Sequence, residues 1–386
     1  MPPPLVDGDT VPDVVELTKA LIAAESVTPA RGAVFDVLEA ALVPLGFQVE
    51  RFVEGEAPEG PVENLLAVRG TSGTHFAFAG HLDVVPPGAG WTSGAFMPEI
   101  RGELLYGRGA VDMKGSIAAF VAAVAGVESG GTISLLITGD EEGPATYGTP
   151  RLIERMAERG VRPDLCVVGE PSSAHRLGDT IKIGRRGSTV IDIEVPGQQG
   201  HVAYPHLSDN PVPRLIRALA EIDAIQLDAG NAWFQPSNIE VIDISVGNPA
   251  TNVIPGRAGA RISIRFNDLQ RGPDLVARVE EIVLRHAPRA QVKGRIYGEA
   301  FLTEPGALST LVSGAVEAVL GVTPELSTTG GTSDARFLSR ICPVVEFGLV
   351  NATMHKLDEA VALSDLHALT EVYAEVLKRA LRIPRA

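Results

Sequence analysis

Between residues 62 and 168 the chain alternates short, mainly apolar runs with longer stretches of helical spacing. Val62 to Val68, His75 to Ala79, Thr132 to Thr138 and Leu165 to Val168 are mainly apolar, the texture of buried strands. Helical spacing occupies residues 11 to 45 in two segments separated by Ser26-Val27-Thr28-Pro29, then 116 to 127 and Thr149 to Arg159. A Gly-Thr-Ser-Gly turn at 70–73 joins the first two strands. Buried strands alternating with helices predict a mostly parallel α/β sheet. In such sheets ligands bind beyond the carboxyl ends of the strands. His81, Glu141-Glu142 and Glu170 all fall at such ends.

From about Ser188 the pattern changes. In STVIDIEV, Thr189, Ile191, Ile193 and Val195 share one face and Ser188, Asp192 and Glu194 the other, as in an antiparallel sheet with one solvated side. A helix over Pro213 to Ile222, strands over Ile239 to Val246 and Ala260 to Phe266, a helix over Pro273 to His286 and a strand over Gln291 to Tyr297 follow. Strand-helix-strand-strand-helix-strand is the ferredoxin-like order. Residues 185–297 therefore read as an inserted α+β domain, dividing a first domain into 1–184 and 298–386. The returning part carries a helix over Leu308 to Leu320, a loop from Thr328 to Asp334, a strand over Val344 to Phe347 and a last helix near Ser364 to Arg379.

A length of 386 residues favours two cores over one. The 45% hydrophobic content and mean hydropathy of +0.15 suit a globular enzyme. The net charge of -15 argues against nucleic acid or an anionic membrane as partner. Cys166 and Cys342 each lie in an apolar run and read as buried free thiols, too few for a disulfide framework or a cysteine zinc site. The first ten residues, MPPPLVDGDT, lack a basic segment followed by an apolar one, so no signal peptide is expected. The longest apolar stretch is too short to span a bilayer. A cytoplasmic location follows as an expectation.

His81, Asp112, Glu142, Glu170 and His355 form an N/O ligand set without thiolate, which suits a pair of zinc-like ions sharing one carboxylate. Asp112, in the turn between Gly107-Arg108-Gly109 and an apolar helix, is the natural bridge. Asp83, two residues past His81 on an extended backbone, is placed to accept the second ring N–H of His81. Glu141 should point away from Glu142 and serve as general base. Each residue has a plainer reading: an exposed acidic turn for Glu141-Glu142, capped strand ends for His81 and Glu170, a helix cap for Asp112, solvated loops for His201 and His355. Arg185, in Arg185-Arg186-Gly187-Ser188, and Arg265 are local cations that an anionic substrate would need on so acidic a chain. Gly330-Gly331-Thr332-Ser333-Asp334 is a close-approach turn and lacks the Lys of a phosphate loop.

The segments GHLDVVPPG, GRGAVDMKGS, GDEEG, VGEPSS, GRRGS, GQQGHVAYPHLSDNP, NVIPG, TTGGTSDARF and FGLVNATMHKLDE resemble, over nearly the whole chain, the dinuclear-zinc aminoacylase and carboxypeptidase family. The resemblance implies a zinc-peptidase-like catalytic domain. It implies two zinc ions per subunit, with cobalt as a substitute: His81 and Glu170 on one, Glu142 and His355 on the other, Asp112 between them. Asp83 would orient His81, and Glu141 would act as base and then acid. The inserted domain would form a homodimer, with His201 and Asn252 reaching the partner's site. Arg185, Ser188, Tyr204, Arg265, Thr332 and Asn351 match positions that hold the substrate. The implied reaction is hydrolysis of N-succinyl-LL-2,6-diaminopimelate to succinate and LL-2,6-diaminopimelate. Competing readings are an N-acetylornithine-type deacylase and a non-catalytic, metal-stabilised binding protein.

Overall fold

A computed structural model describes residues 12–127 and 130–383. The first ten residues, discussed above as lacking a signal peptide, lie outside it. The described residues divide into two compact units. The larger holds those up to Ile183, Thr303–Ser327 and those from Ser333 on; the smaller holds Gly184–Leu302 and Thr328–Thr332.

In the larger unit, eight strands form one sheet in the order Gln48–Glu54, Val62–Arg69, Thr132–Thr138, His75–His81, Leu165–Val168, Val344–Glu346, Thr180–Lys182, Glu325–Ser327. Thr132–Thr138, His75–His81, Leu165–Val168 and Val344–Glu346 run parallel, which brings their carboxyl ends to one edge. The turn at 70–73 does not close a hairpin. Thr132–Thr138 lies between the two strands it joins, antiparallel to Val62–Arg69 and parallel to His75–His81.

Helices Lys114–Ala125 and Leu363–Ala380 are fixed against this sheet by aromatic packing. The Phe78 and Phe120 rings stack at 4.2 Å, and Tyr373 meets Phe120 edge-on at 5.8 Å. The phenol of Tyr373 donates to the Phe347 carbonyl at 2.7 Å, so its polar end is satisfied inside the core. Truncating Phe120 to Ala would cost about 3–5 kcal/mol. This packing holds the amino end of Lys114–Ala125, and with it Asp112, beside the strand that ends in His81. Helix Val14–Ala23 begins where the Asp13 carboxylate accepts the Val15 and Glu16 N–H groups at 2.8 and 3.0 Å.

The smaller unit has the strand-helix-strand-strand-helix-strand order: Gly187–Pro196, Val212–Asp223, Asn238–Ser245, Arg257–Phe266, Gly272–His286, Gln291–Gly298. Its four strands pair antiparallel, with Gly187–Pro196 and Arg257–Phe266 central. Ile191, Ile193, Ile262 and Ile264 on one face pack with Leu215, Ile222, Val279 and Val283 of the two helices. Asp192 and Glu194, on the other face, are exposed. Among the described residues no helix is long and apolar enough to cross a membrane.

Candidate functional site

In the larger unit the strand ends deliver His81, Glu142 and Glu170, and two loops deliver Asp112 and His355. His81 Nε2 lies 3.1 Å from Asp112 Oδ1 and 3.7 Å from Glu170 Oε1. His355 Nε2 lies 3.1 Å from Asp112 Oδ2 and 2.9 Å from Glu142 Oε1. Two ligand-type triads, His81–Asp112–Glu170 and Asp112–Glu142–His355, therefore share the Asp112 carboxylate, one oxygen facing each histidine. A chain folding without a cation would not favour several carboxylates converging on two imidazoles at such distances.

The pKa directions follow from this crowding. Burial opposes protonation of His81, but Asp112, Glu170 and Asp83 outweigh it and hold the imidazole well above its ordinary value. Asp112 and Glu142 hold His355 up at about 10. Burial and the neighbouring Glu170 carboxylate push Glu141 well above the usual carboxylate range. A divalent ion would balance the carboxylates that raise these imidazoles, and the donor set fits zinc or a similar ion. The fit extends to His81 Nδ1, which lies 2.9 Å from the Asp83 carbonyl oxygen and leaves Nε2 toward the carboxylates.

That contact corrects the reading of Asp83. Pairing continues past His81, with the Leu82 N–H donating to the Thr138 carbonyl and the Val84 N–H to the Ser26 carbonyl, so Asp83 stays beside the ring. Its carbonyl, not its carboxylate, faces His81; Oδ1 stays 3.6 Å from Nδ1. The fully buried carboxylate instead accepts the N–H groups of Glu141 (3.2 Å) and Glu142 (2.9 Å), and burial raises it to about 6. Asp83 fixes the turn that carries both glutamates.

Asn351 opens a short 3-10 turn in the larger unit, and its N–H donates to the Ser173 carbonyl at 3.0 Å. The remaining candidates lie in the smaller unit, in separate groups. Ser188 stands across from Arg265 in the central strand pair. Burial and Arg186 lower the pKa of Arg265. Arg185 is buried, and its guanidinium donates to the Thr329 carbonyl at 3.3 Å. Gly330, at φ +112°, lets the 328–332 loop approach that guanidinium, where a Cβ would collide with Arg185 Nη1. Thr332 follows in the same loop. His201 pairs with Val253 across a two-stranded ladder; the next N–H, of Val202, donates to the Asn252 carbonyl at 3.1 Å, and the Tyr204 ring lies 5.7 Å from the imidazole.

Sequence reasoning gave no role to Glu359, which is fully buried beside the Asp112 loop. The only signal was its position four residues after His355.

Residues 77–379 match Peptidase family M20/M25/M40. The chain is 69% identical over 369 residues to a succinyl-diaminopimelate desuccinylase of Sphingopyxis alaskensis, covering 95% of this chain and 98% of the relative. Its fold is similar to that of a Staphylococcus aureus tripeptidase, at a TM-score of 0.80 and 17% identity over 98% of this chain and 100% of the other. It is also similar to a dinuclear metal-binding peptidase of Bacillus subtilis, at 0.70 and 14% over 95% and 97%. With one family covering most of its length and a relative this close along nearly all of it, the chain belongs to the M20/M25/M40 peptidase family.

Proposed function

We propose that this chain hydrolyses N-succinyl-LL-2,6-diaminopimelate to succinate and LL-2,6-diaminopimelate, in lysine and diaminopimelate biosynthesis. The observation that carries the reading is the pair of triads sharing Asp112, with Glu141 beside them, in a chain 69% identical to a relative of that name. His81 and Glu170 would hold one divalent ion and Glu142 and His355 another, with Asp112 between them. Zinc suits the donor set, and cobalt would substitute. Bound there, the ions supply Lewis acidity toward the amide carbonyl and toward water.

The chain's own groups do the rest. Glu141 takes the proton of the attacking water and returns it to the leaving nitrogen. Burial and Glu170 hold its carboxyl above the usual range, the direction that favours taking up a proton. Asp83 keeps Glu141 and Glu142 oriented through their backbone N–H groups. The substrate brings three carboxylates to a chain of net charge -15, so Arg185 and Arg265 supply local cations, with Ser188, Tyr204, Thr332 and Asn351 as further polar contacts. The smaller unit, 185–297 as read from the sequence, serves as dimerisation domain. Through it His201 and Asn252 enter the site of a second copy. His201 Nδ1 accepts the Ala203 N–H at 3.1 Å, which leaves the ring proton on Nε2, free to donate to an oxyanion. The reading places the enzyme in the cytoplasm, with no nucleic-acid or membrane partner.

The test is hydrolysis of N-succinyl-LL-diaminopimelate by zinc-loaded protein, beside N-acetylornithine and a chelator-treated control. Zinc-dependent release of succinate, with little action on the acetyl compound, is expected. Preference for the acetyl compound would overturn the substrate assignment, and no turnover of either would overturn the enzyme.

A further inference from the structure

Outside the ligand set, the most completely bonded buried carboxylate near the site is Glu359. Its Oε2 accepts Arg108 Nη1 at 2.8 Å and the Gly109 N–H at 3.0 Å; its Oε1 accepts the N–H groups of Val111 at 2.8 Å and Asp112 at 3.1 Å. Its main-chain carbonyl accepts the Gly107 N–H at 2.9 Å. Five donors from the six residues 107–112 therefore converge on one residue. The same arginine reaches back to the Lys356 carbonyl at 3.3 Å, next to His355. At φ +60° His355 has the left-handed backbone that side chains other than glycine rarely adopt. Its loop is closed again where Thr353 Oγ1 donates to the Ala360 carbonyl at 2.9 Å, and where Asp358 accepts the Thr92 N–H at 2.9 Å.

We propose that Glu359, with Arg108, is a positioning residue for the Asp112–Glu142–His355 triad, setting the backbone of Asp112 and of the His355 loop so that their ligand atoms face one cation. The inference rests on the metal reading given above. Its physical basis is simple. The ladder between Leu104–Tyr106 and Ala360–Ala362 ends just before Gly107 and Glu359, so Asp112 and His355 lie in loops beyond it, and an ion gains most from ligands already in place. Glu359 supplies the missing rigidity by accepting the Asp112 N–H with one oxygen and the Arg108 guanidinium with the other. A buried ion pair at that point need not stabilise the fold. Its use is to fix geometry.

The experiment titrates the metal-free protein with Co2+, following visible absorption and stoichiometry, and competes Zn2+ against a chelating dye. The ion weakened by His355→Ala marks the triad. Glu359→Gln keeps the size of the side chain but turns an NH2 group toward backbone N–H donors; it should weaken that same ion roughly 10–100-fold and alter its cobalt spectrum. Arg108→Lys, which keeps the charge but loses the guanidinium whose Nη1 is shared between Glu359 and the Lys356 carbonyl, should weaken it less and serves if Glu359→Gln does not fold. Tyr373→Phe is the control, keeping the ring that packs on Phe120 and removing only its buried hydrogen bond to the Phe347 carbonyl. Wild-type affinity and spectrum in folded Glu359→Gln or Arg108→Lys, or equal weakening by Tyr373→Phe, overturns the inference alone. If wild type binds no ion that His355→Ala weakens, the metal reading falls and the inference with it.

Discussion

Asp83→Asn separates two accounts of the same residue. The carboxylate is fully buried and receives two N–H groups, one from Glu141 and one from Glu142. Asparagine offers one oxygen and one NH2, so one of those N–H groups loses its acceptor and faces another donor. A buried donor left unsatisfied costs about 1–3 kcal/mol. Because the turn is the only part so loosened, that cost appears as a fall of roughly 5- to 150-fold in the population with both glutamates placed, and kcat/KM falls with it. The His81 contact is to a backbone carbonyl and survives the substitution. Cobalt titration should therefore show the ion that Glu142 would hold weakened more than the one that His81 and Glu170 would hold. Steady-state hydrolysis gives the rate and metal titration the site. Unchanged kcat/KM would refute the account. Selective loss of the His81 ion would refute it as well, and would restore the carboxylate to the orienting role read from the sequence.

Glu141→Gln should keep both metal ions, measured by elemental analysis, and lose roughly 100- to 10,000-fold in kcat; loss of metal would make Glu141 a ligand instead. His201→Ala should lower kcat while metal content stays at the wild-type value, and an unchanged kcat would remove His201 from the reaction. In the smaller unit, burial opposes ionisation of Asp228, but hydrogen bonds from Ser237, Gly230 and Asn267 outweigh it and lower its pKa to about 2. A depressed carboxyl contributes stability above its unfolded pKa, near 4, and loses it as pH falls through 2; discounted for solvent screening of this partly exposed group, the shift is worth about 1 kcal/mol. Asp228→Asn should therefore melt lower than wild type at neutral pH, with the gap closing as pH falls from 4 to 2.

The strand-end residues were legible because a buried parallel strand announces itself as a mainly apolar run, and His81, Glu142 and Glu170 follow such runs within a few residues. Asp112 and His355 sit in loops without periodicity; residue type grouped them with the strand-end ligands, and only the resemblance said which histidine goes with which glutamate. Gln48–Glu54 escaped notice because its mostly half-buried residues mix charged and apolar types, as suits a strand at the sheet edge. Thr180–Lys182 and Glu325–Ser327 are three residues each, too short for any period to register. For Asp83 the pattern placed the residue beside His81 but could not say whether its carbonyl or its carboxylate faces the ring. Glu359 closes the motif that holds His355, but no local pattern distinguishes a buried glutamate from a solvated one, and its partner Asp112 is 247 residues away.

The order of strands in the large sheet also bears on how the chain is made. Its first five strands in space all come from the first 168 residues, and Leu165–Val168 closes that group. Its neighbour on the other side, Val344–Glu346, is synthesised only after the whole smaller unit. Until then a fully apolar strand presents unpaired N–H and C=O groups to other chains, the kind of edge that seeds aggregation. The growing polypeptide would be most exposed to misassembly during translation of residues 169 to 343, and the most dependent on chaperones there.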